Sequence, residues 1–350
     1  MKAYIQCCTS ISHHATFGID VPLADCLPAV APQEEGDTLP AIDPNYKELI
    51  DDANMRRRMS HIIKMGVATS IHCINKSGCG QPEAIITATG MGGMADTEKF
   101  LNCIIDNHEQ MLNPTNFIQS TGNTFGGQTG LLNHCHNYNV TYVHGGFSLE
   151  SALTDALLQM EEEDIGNALV AAADEITPTE QDVMRRLGFW RNGNKMGEGA
   201  QAFLIGCKPQ IDSLATITYP RMMRGPLTTQ ELDTQIDSLL ADNNLTDKDI
   251  DVVLTGAEHD PEMETKVEDR FARHLNYKQW CGQYFTASSF GVWLAANMLK
   301  QQLLTDGQSW KPSKMKNILV YTETLKDNYT LMLLQAAFDK PHTCHQSSCQ

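Results

Sequence analysis

No stretch of this 350-residue chain is apolar enough for a membrane-spanning helix: its longest purely apolar run is Ala168 to Ala173, far short of the ~20 residues such a helix needs. The N-terminus also lacks the apolar core of a secretory signal, so a cytoplasmic protein is expected. Basic residues are scarce, 26 against 43 acidic ones, and a net charge of −17 repels phosphate backbones and anionic membranes. Neither nucleic acid nor lipid is therefore expected as the main partner. Tandem Cys-x-x-Cys pairs are absent although the chain holds 11 cysteines, an odd count scattered from Cys7 to Cys349. That argues against a disulfide framework and a zinc ribbon, and the thiols read as reduced and mostly buried. His342, Cys344, His345 and Cys349 meet no metal-ligand spacing, so 341–350 reads as a flexible tail, with no metal expected. What is present is apolar bulk: 41% apolar and 20% charged residues can bury a large core.

Residues 20–46 carry Pro22, Pro28, Pro32, Pro40 and Pro44 with few periodic apolar positions, which predicts an ordered surface loop. A helical pattern follows over 47–73 through Ile50, Met55, Met59, Ile62, Ile63 and Val67, with Arg56, Arg57 and Arg58 clustered on it. Strand-like runs at 84–89, 167–172, 201–205, 214–219, 250–255, 317–321 and 329–335 alternate with helical patterns at 96–110, 127–136, 148–163, 229–242, 261–275 and 288–304. The alternation predicts an α/β fold with largely buried sheets. The order strand, helix, turn into a helix at Ser148, two strands recurs as strand, helix, turn into a helix at Ser288, two strands. The chain therefore reads as duplicated, with an N-terminal half at 1–210 and a C-terminal half at 211–340.

The segment 114–177 resembles the core of a β-ketoacyl synthase of the thiolase superfamily. Phe117, Ile118, Gln119, Ser120 and Thr121 are similar to the stretch that lines the dimer-spanning acyl tunnel in that family. Residues 139–143 stand where its strand leading to the nucleophile would be. Gly145, Gly146, Phe147 and Ser148 open a helix with Ala152, Leu153 and Ala156, as in its Cys-small-Ser-x-x-x-Ala-Ile pattern, although Phe147 is not small. Gly197, Glu198, Gly199 and Ala200 match its Gly-Glu-Gly-Ala signature. The resemblance covers nearly the whole chain and implies the five-layered α-β-α-β-α thiolase-like fold made of two similar halves.

It also implies a set of losses. Working members hold a cysteine at a strand-to-helix elbow, where helix-terminal amides stabilise the thiolate. Gly146 stands there, and no cysteine lies between Cys135 and Cys207. Ser148 is the nearest hydroxyl and reads as a helix cap. Of the family's two histidines, the first position is taken by Gly256 or a neighbour, with His259 three residues late, and the second by Ser288 in the run Ala287 to Gly291. A Gly-Phe-Gly-Gly gating loop is replaced by residues 322–327. Losing an oxyanion donor lowers rates by roughly 100 to 1000-fold, and losing a nucleophile by on the order of a million-fold. The vestigial acyl pocket would then be lined by His144, Gly145, Gly146, Phe147, Ser148, His259, Ser288 and Phe290. His134, Cys135 and His136 suit packing better than a Cys-His site.

A fold kept while its reactive groups are gone is similar to the chain length factor, the nucleophile-lacking partner in polyketide and aryl polyene systems. This implies a non-catalytic subunit that pairs with an active β-ketoacyl-ACP synthase and shapes the acyl tunnel, without cofactor. Phe117, Gln119, Thr121 and Thr124 are then candidates for limiting chain length. Acyl carrier protein is acidic like this chain, so docking falls more naturally to the partner subunit, although Arg56, Arg57 and Arg58 form a candidate patch. Two alternatives stay open: a divergent 3-oxoacyl-ACP synthase or acyltransferase using Ser148, His144 or His259, and an acyl-binding or scaffolding homodimer.

Overall fold

The structure, a computed structural model, describes residues 1–14, 21–33, 35–112, 114–188, 193–256, 260–325 and 327–338. Its framework is an 11-stranded sheet. In chain order the strands are β1 (Lys2–Ile11), β2 (Ala84–Thr89), β3 (Tyr138–Val143), β4 (Asn167–Asp174), β5 (Gly199–Gly206), β6 (Ala215–Thr218), β7 (Arg221–Arg224), β8 (Val252–Gly256), β9 (His274–Asn276), β10 (Asn317–Thr324) and β11 (Asn328–Ala336). They run in the order β9-β8-β10-β11-β6-β1-β5-β4-β2-β3, with β7 on β11. The path contains one pattern twice. β3-β2-β4 are parallel, β4-β5 and β5-β1 antiparallel; β9-β8-β10 are parallel, β10-β11 and β11-β6 antiparallel. An antiparallel pairing of β1 with β6 joins the two halves.

Side chains alternate along each strand, so each half-sheet buries two faces. Ala168, Val170 and Ala172 of β4 enter a central core together with Ile318 and Val320 of β10. Leu169, Ala171 and Ala173 face one outer core, and Leu319 with Tyr321 face the other. Helices α6 (Ser148–Glu161) and α10 (Ser288–Gln301) fill the central layer. Helix α2 (His61–Ser77) covers one outer face. Helices α8 (Thr229–Asp242) and α9 (Pro261–Arg270) cover the other. Three helical layers separated by two half-sheets make five layers, the predicted architecture. The other helices longer than one turn are α1 (Ala53–Arg58), α3 (Met94–Asp106), α4 (Pro114–Ser120), α5 (Thr124–Leu132) and α7 (Pro178–Leu187), and single helical turns lie at Leu23–Cys26 and Lys278–Cys281.

Several predicted elements are corrected. β1 was not anticipated: a bulge between Ile5 and Cys7 interrupts its alternation, and its C-terminal half is buried throughout. The helix expected over 47–73 is broken. Asp52 caps α1 by accepting from the Asn54 and Met55 amides at 2.8 and 3.0 Å, and the chain is extended again at Met59 and Ser60 before α2. The helix expected over 261–275 ends at Arg270, because His274–Asn276 pairs with β8. The proline-rich segment is not merely superficial: Leu23, Cys26 and Leu27 are buried, and the Trp310 and Trp280 indoles donate to the Leu27 and Pro28 carbonyls. Of the nine described cysteines six are buried and none is paired. The tail 341–350 and His259 lie outside the described residues.

Candidate functional site

The turn from β3 into α6 is a short 3₁₀ bend, Gly145–Phe147. Gly145 takes φ +57°, a left-handed value that glycine adopts without strain, and its amide donates to the Gly90 carbonyl at 3.3 Å. Gly146 is buried behind it. Ser148 is the first residue of α6, not its cap. Its Oγ accepts from the His144 amide at 2.8 Å and shares its proton between the carbonyls of Thr89 (2.8 Å) and Gly145 (2.9 Å). A hydroxyl so engaged pins the bend, with all its hydrogen bonds among the described residues going to backbone atoms. His144 is exposed, with Nδ1 3.2 Å from Ser151 Oγ and its ring edge-on to the buried Phe147.

The opposite wall comes from the C-terminal half. Thr324, ending β10, packs on Gly146. Ser288, opening α10, is buried and faces Glu150 of α6. Glu150 is fully buried, and neither carboxyl oxygen finds a well-formed hydrogen bond among the described residues. Burial pushes its pKa up to about 7, even with the Ser288 and Thr330 hydroxyls and Lys278 nearby to favour the charged form. At Gly256 a Cβ would collide with the Tyr277 ring, whose hydroxyl lies 2.9 Å from Thr322 Oγ1. Phe290 is fully buried against Trp293, rings 5.2 Å apart. Where the family resemblance would place a thiol and two imidazoles, the described residues are glycine, threonine, serine, tyrosine and a carboxyl.

Asp174 locks this centre together. At the end of β4, its Oδ1 accepts from Thr89 Oγ1 (2.9 Å) and the Gly90 amide (2.8 Å), and its Oδ2 from the Thr286 amide (2.8 Å) and hydroxyl (2.7 Å). Burial raises its pKa; these four bonds oppose the rise. The Gly-Glu-Gly-Ala signature is structural too. Glu198 accepts from the Ala41 (3.0 Å) and Ile176 (2.9 Å) amides and lies 3.6 Å from His61 Nδ1. Burial alone would raise its pKa, but His61 and the two amides hold it below the usual value. His61 responds oppositely: burial lowers its pKa, yet Glu198 and Asp43 carry it up to about 9. Gly197 abuts the Cys281 carbonyl, and a Cβ on Gly199 would stand 2.7 Å from the Ile11 carbonyl oxygen.

The remaining predicted residues lie on α1 and from α4 to the start of α5, where Gly122 packs on Val143 just ahead of the bend. Phe117, on α4, is 55% exposed and touches Phe100. Gln119 is buried with its Oε1 unpartnered among the described residues. The Thr121 and Thr124 hydroxyls, 2.9 Å apart, both reach the Ile118 carbonyl and fasten α4 to α5. Beside them β3 is an open edge carrying Tyr138 and Val143, 45% and 52% exposed, with Ile118 57% exposed. Arg56 donates to the Ile50 carbonyl and is half-buried, leaving Arg57 and Arg58 as the exposed pair. Glu150, Asp174 and Tyr277 were not singled out from sequence. The available signal was a carboxylate, Glu150, in the first turn of α6, on the same helix as the buried Leu149, Ala152, Leu153 and Ala156.

Residues 40–186 match the family described as Beta-ketoacyl synthase, N-terminal domain. No curated protein matches the chain by sequence. Solved structures do by fold. The ishigamide ketosynthase/chain length factor is 14% identical, with 96% of this chain and 99% of that one covered and a TM-score of 0.76. A β-ketoacyl synthase from Burkholderia phymatum STM815 is 13% identical, with 96% and 100% covered and a TM-score of 0.77. The ketosynthase ApeO in complex with its chain length factor ApeC from Xenorhabdus doucetiae is 14% identical, with 96% and 98% covered and a TM-score of 0.77. The chain thus has the thiolase-like ketosynthase fold over nearly its full length and is ketosynthase-like across 40–186.

Proposed function

We propose that this ketosynthase-like chain is a non-catalytic subunit of the chain length factor type, pairing through the β3 edge with an active β-ketoacyl-ACP synthase and shaping that partner's acyl tunnel. One observation carries the reading: the bend that would present a nucleophile holds a buried glycine, Gly146, with Thr324 packed on it. Transacylation needs a group that attacks the thioester carbonyl; the nearest hydroxyl along the chain, Ser148, is spent on backbone atoms, and Thr324, whose hydroxyl packs on Gly146, is buried. The apolar edge of Phe117, Ile118, Tyr138 and Val143 suits a partner subunit, and two of the structures similar in fold are described as ketosynthases with a chain length factor.

In this reading Phe117, Gln119, Thr121 and Thr124 border the shared tunnel, and acyl carrier protein docks chiefly on the partner. Arg57 and Arg58 are a secondary contact. The halves fall at 1–210 and 211–340, and the protein works in the cytoplasm. No helix among the described residues is long and apolar enough to cross a membrane.

Co-expression with a ketosynthase encoded beside it, followed by sizing and intact-mass measurement after incubation with acyl carrier thioesters, tests the reading. A 1:1 complex with the acyl adduct on the partner alone supports it. An adduct on this chain points to the divergent acyltransferase, and a persistent homodimer to the scaffold.

A further inference from the structure

The bend between β3 and α6 is closed as well as empty. A Cβ built on Gly146 would stand 2.8 Å from Thr324 Cβ and 3.0 Å from its Cγ2, closer than packed atoms come without one of them moving. Thr324 has little room to yield. It is 3% exposed, it ends β10, and its register is fixed by pairing with Asn328 of β11. The clash is with Thr324 Cβ itself, so a rotamer change cannot relieve it. From the other side the approach is open among the described residues: none of their atoms stands within 4 Å of where a Cβ on Gly145 would point, and His144 is exposed. Solvent therefore comes within one residue of Gly146 and stops.

We propose that Thr324 is a plug that closes this subunit's own acyl-accepting position, so that restoring a sulfur at 146 does not by itself restore a reactive thiol. The missing nucleophile and the packed threonine are then two separate blocks on the same chemistry. An acyl chain handled by the complex would lie wholly on the partner's side of the β3 edge. The biological sense of this inference rests on the reading above; its steric content stands on the approach of Thr324 to Gly146 alone.

The test compares Gly146→Cys with Gly146→Cys/Thr324→Gly in the full chain, using iodoacetamide and a small acyl thioester as probes, with peptide mapping to follow position 146. In the acyl arm the introduced sulfur bonds to the carbonyl carbon, the carbon–sulfur bond to the leaving thiol breaks, and the proton of the introduced thiol ends on that leaving thiol. Position 146 is expected to react at least ~10-fold faster in the double variant, because reactivity follows access to the thiolate. Equal rates overturn the plug. If Gly146→Cys does not fold, Gly146→Ala and Thr324→Gly, alone and combined, are compared by thermal unfolding. A combined fall in Tm smaller than the sum of the two single falls supports the plug, and additive falls overturn it. Neither readout needs a partner subunit, so a failed plug is distinguishable from failed pairing.

Discussion

β3 and β9 occupy equivalent places at the outer ends of the two halves, and they are finished in opposite ways. β3 is six residues long with exposed Tyr138 and Val143, beside the exposed Phe117 and Ile118. β9 has three residues, two of them the exposed His274 and Asn276. Beyond β9 opens a groove of about 600 Å³ whose lining mixes Arg273, His274 and Lys311 with Leu275 and Leu304. Short, polar edges discourage strand pairing, whereas a longer apolar edge invites cover. Duplication supplied two candidate joining surfaces, and this sequence has kept one apolar and made the other small and polar.

The largest effect is expected where the halves meet. Asp174→Ala strands the Gly90 and Thr286 amides and two hydroxyls in the core, and should lower stability by about 4 kcal/mol in urea unfolding. A loss under ~1 kcal/mol would mean the halves are held together elsewhere. Next comes the difference between the two central helices, whose first turns hold Glu150 in one and Ser288 in the other. Glu150 has its pKa raised to about 7 by burial. In the unfolded chain it ionises at the usual value near 4.5, so folding stability should fall as pH rises from about 4.5 to about 7 and level off above. Glu150→Gln should remove that slope and gain up to about 3 kcal/mol at pH 8; an unchanged pH profile would contradict the assignment.

The edges themselves can be interchanged. Val143→Lys with Ile118→Lys is expected to weaken pairing with a ketosynthase by ~100-fold or more, measured by titration of the labelled subunits. His274→Lys with Asn276→Lys should leave it unchanged. If the second pair of changes weakens pairing as much as the first, the two edges are not functionally distinct. The smallest effect belongs to His61. Its pKa is raised to about 9 by Glu198 and Asp43, so its contribution is complete below its ordinary value near 6.5 and fades as pH rises through about 9. His61→Gln should make unfolding less sensitive to pH over that window, which a series of melts at pH 6 to 10 would reveal.

Much of this architecture could be read from residue order. 84–89 was predicted to the residue, and α8 likewise from its apolar periodicity; its start coincides with a capping box of Thr228 and Glu231. The bend at Gly145 and Gly146 was legible as a turn and as a site without sulfur. The plug was not, since the contact between Gly146 and Thr324 joins residues remote in the chain and neither type announces it. Glu150, Asp174 and Tyr277 share that difficulty: their roles come from what the second half brings against them. β9 was misread as the end of a helix because three residues carry no usable period.

Glu198 bonds to the Ala41 and Ile176 amides and has His61 beside it, and its flanking glycines let two backbones touch. None of these roles involves a reacting atom. If this chain is the non-catalytic subunit proposed above, the Gly-Glu-Gly-Ala tetrad outlives the chemistry with which it is associated, because the scaffold still has to be held. On that reading, a survey that counts active enzymes by this tetrad would count silent relatives as well, and the amino acid at the bend is where to look for the difference.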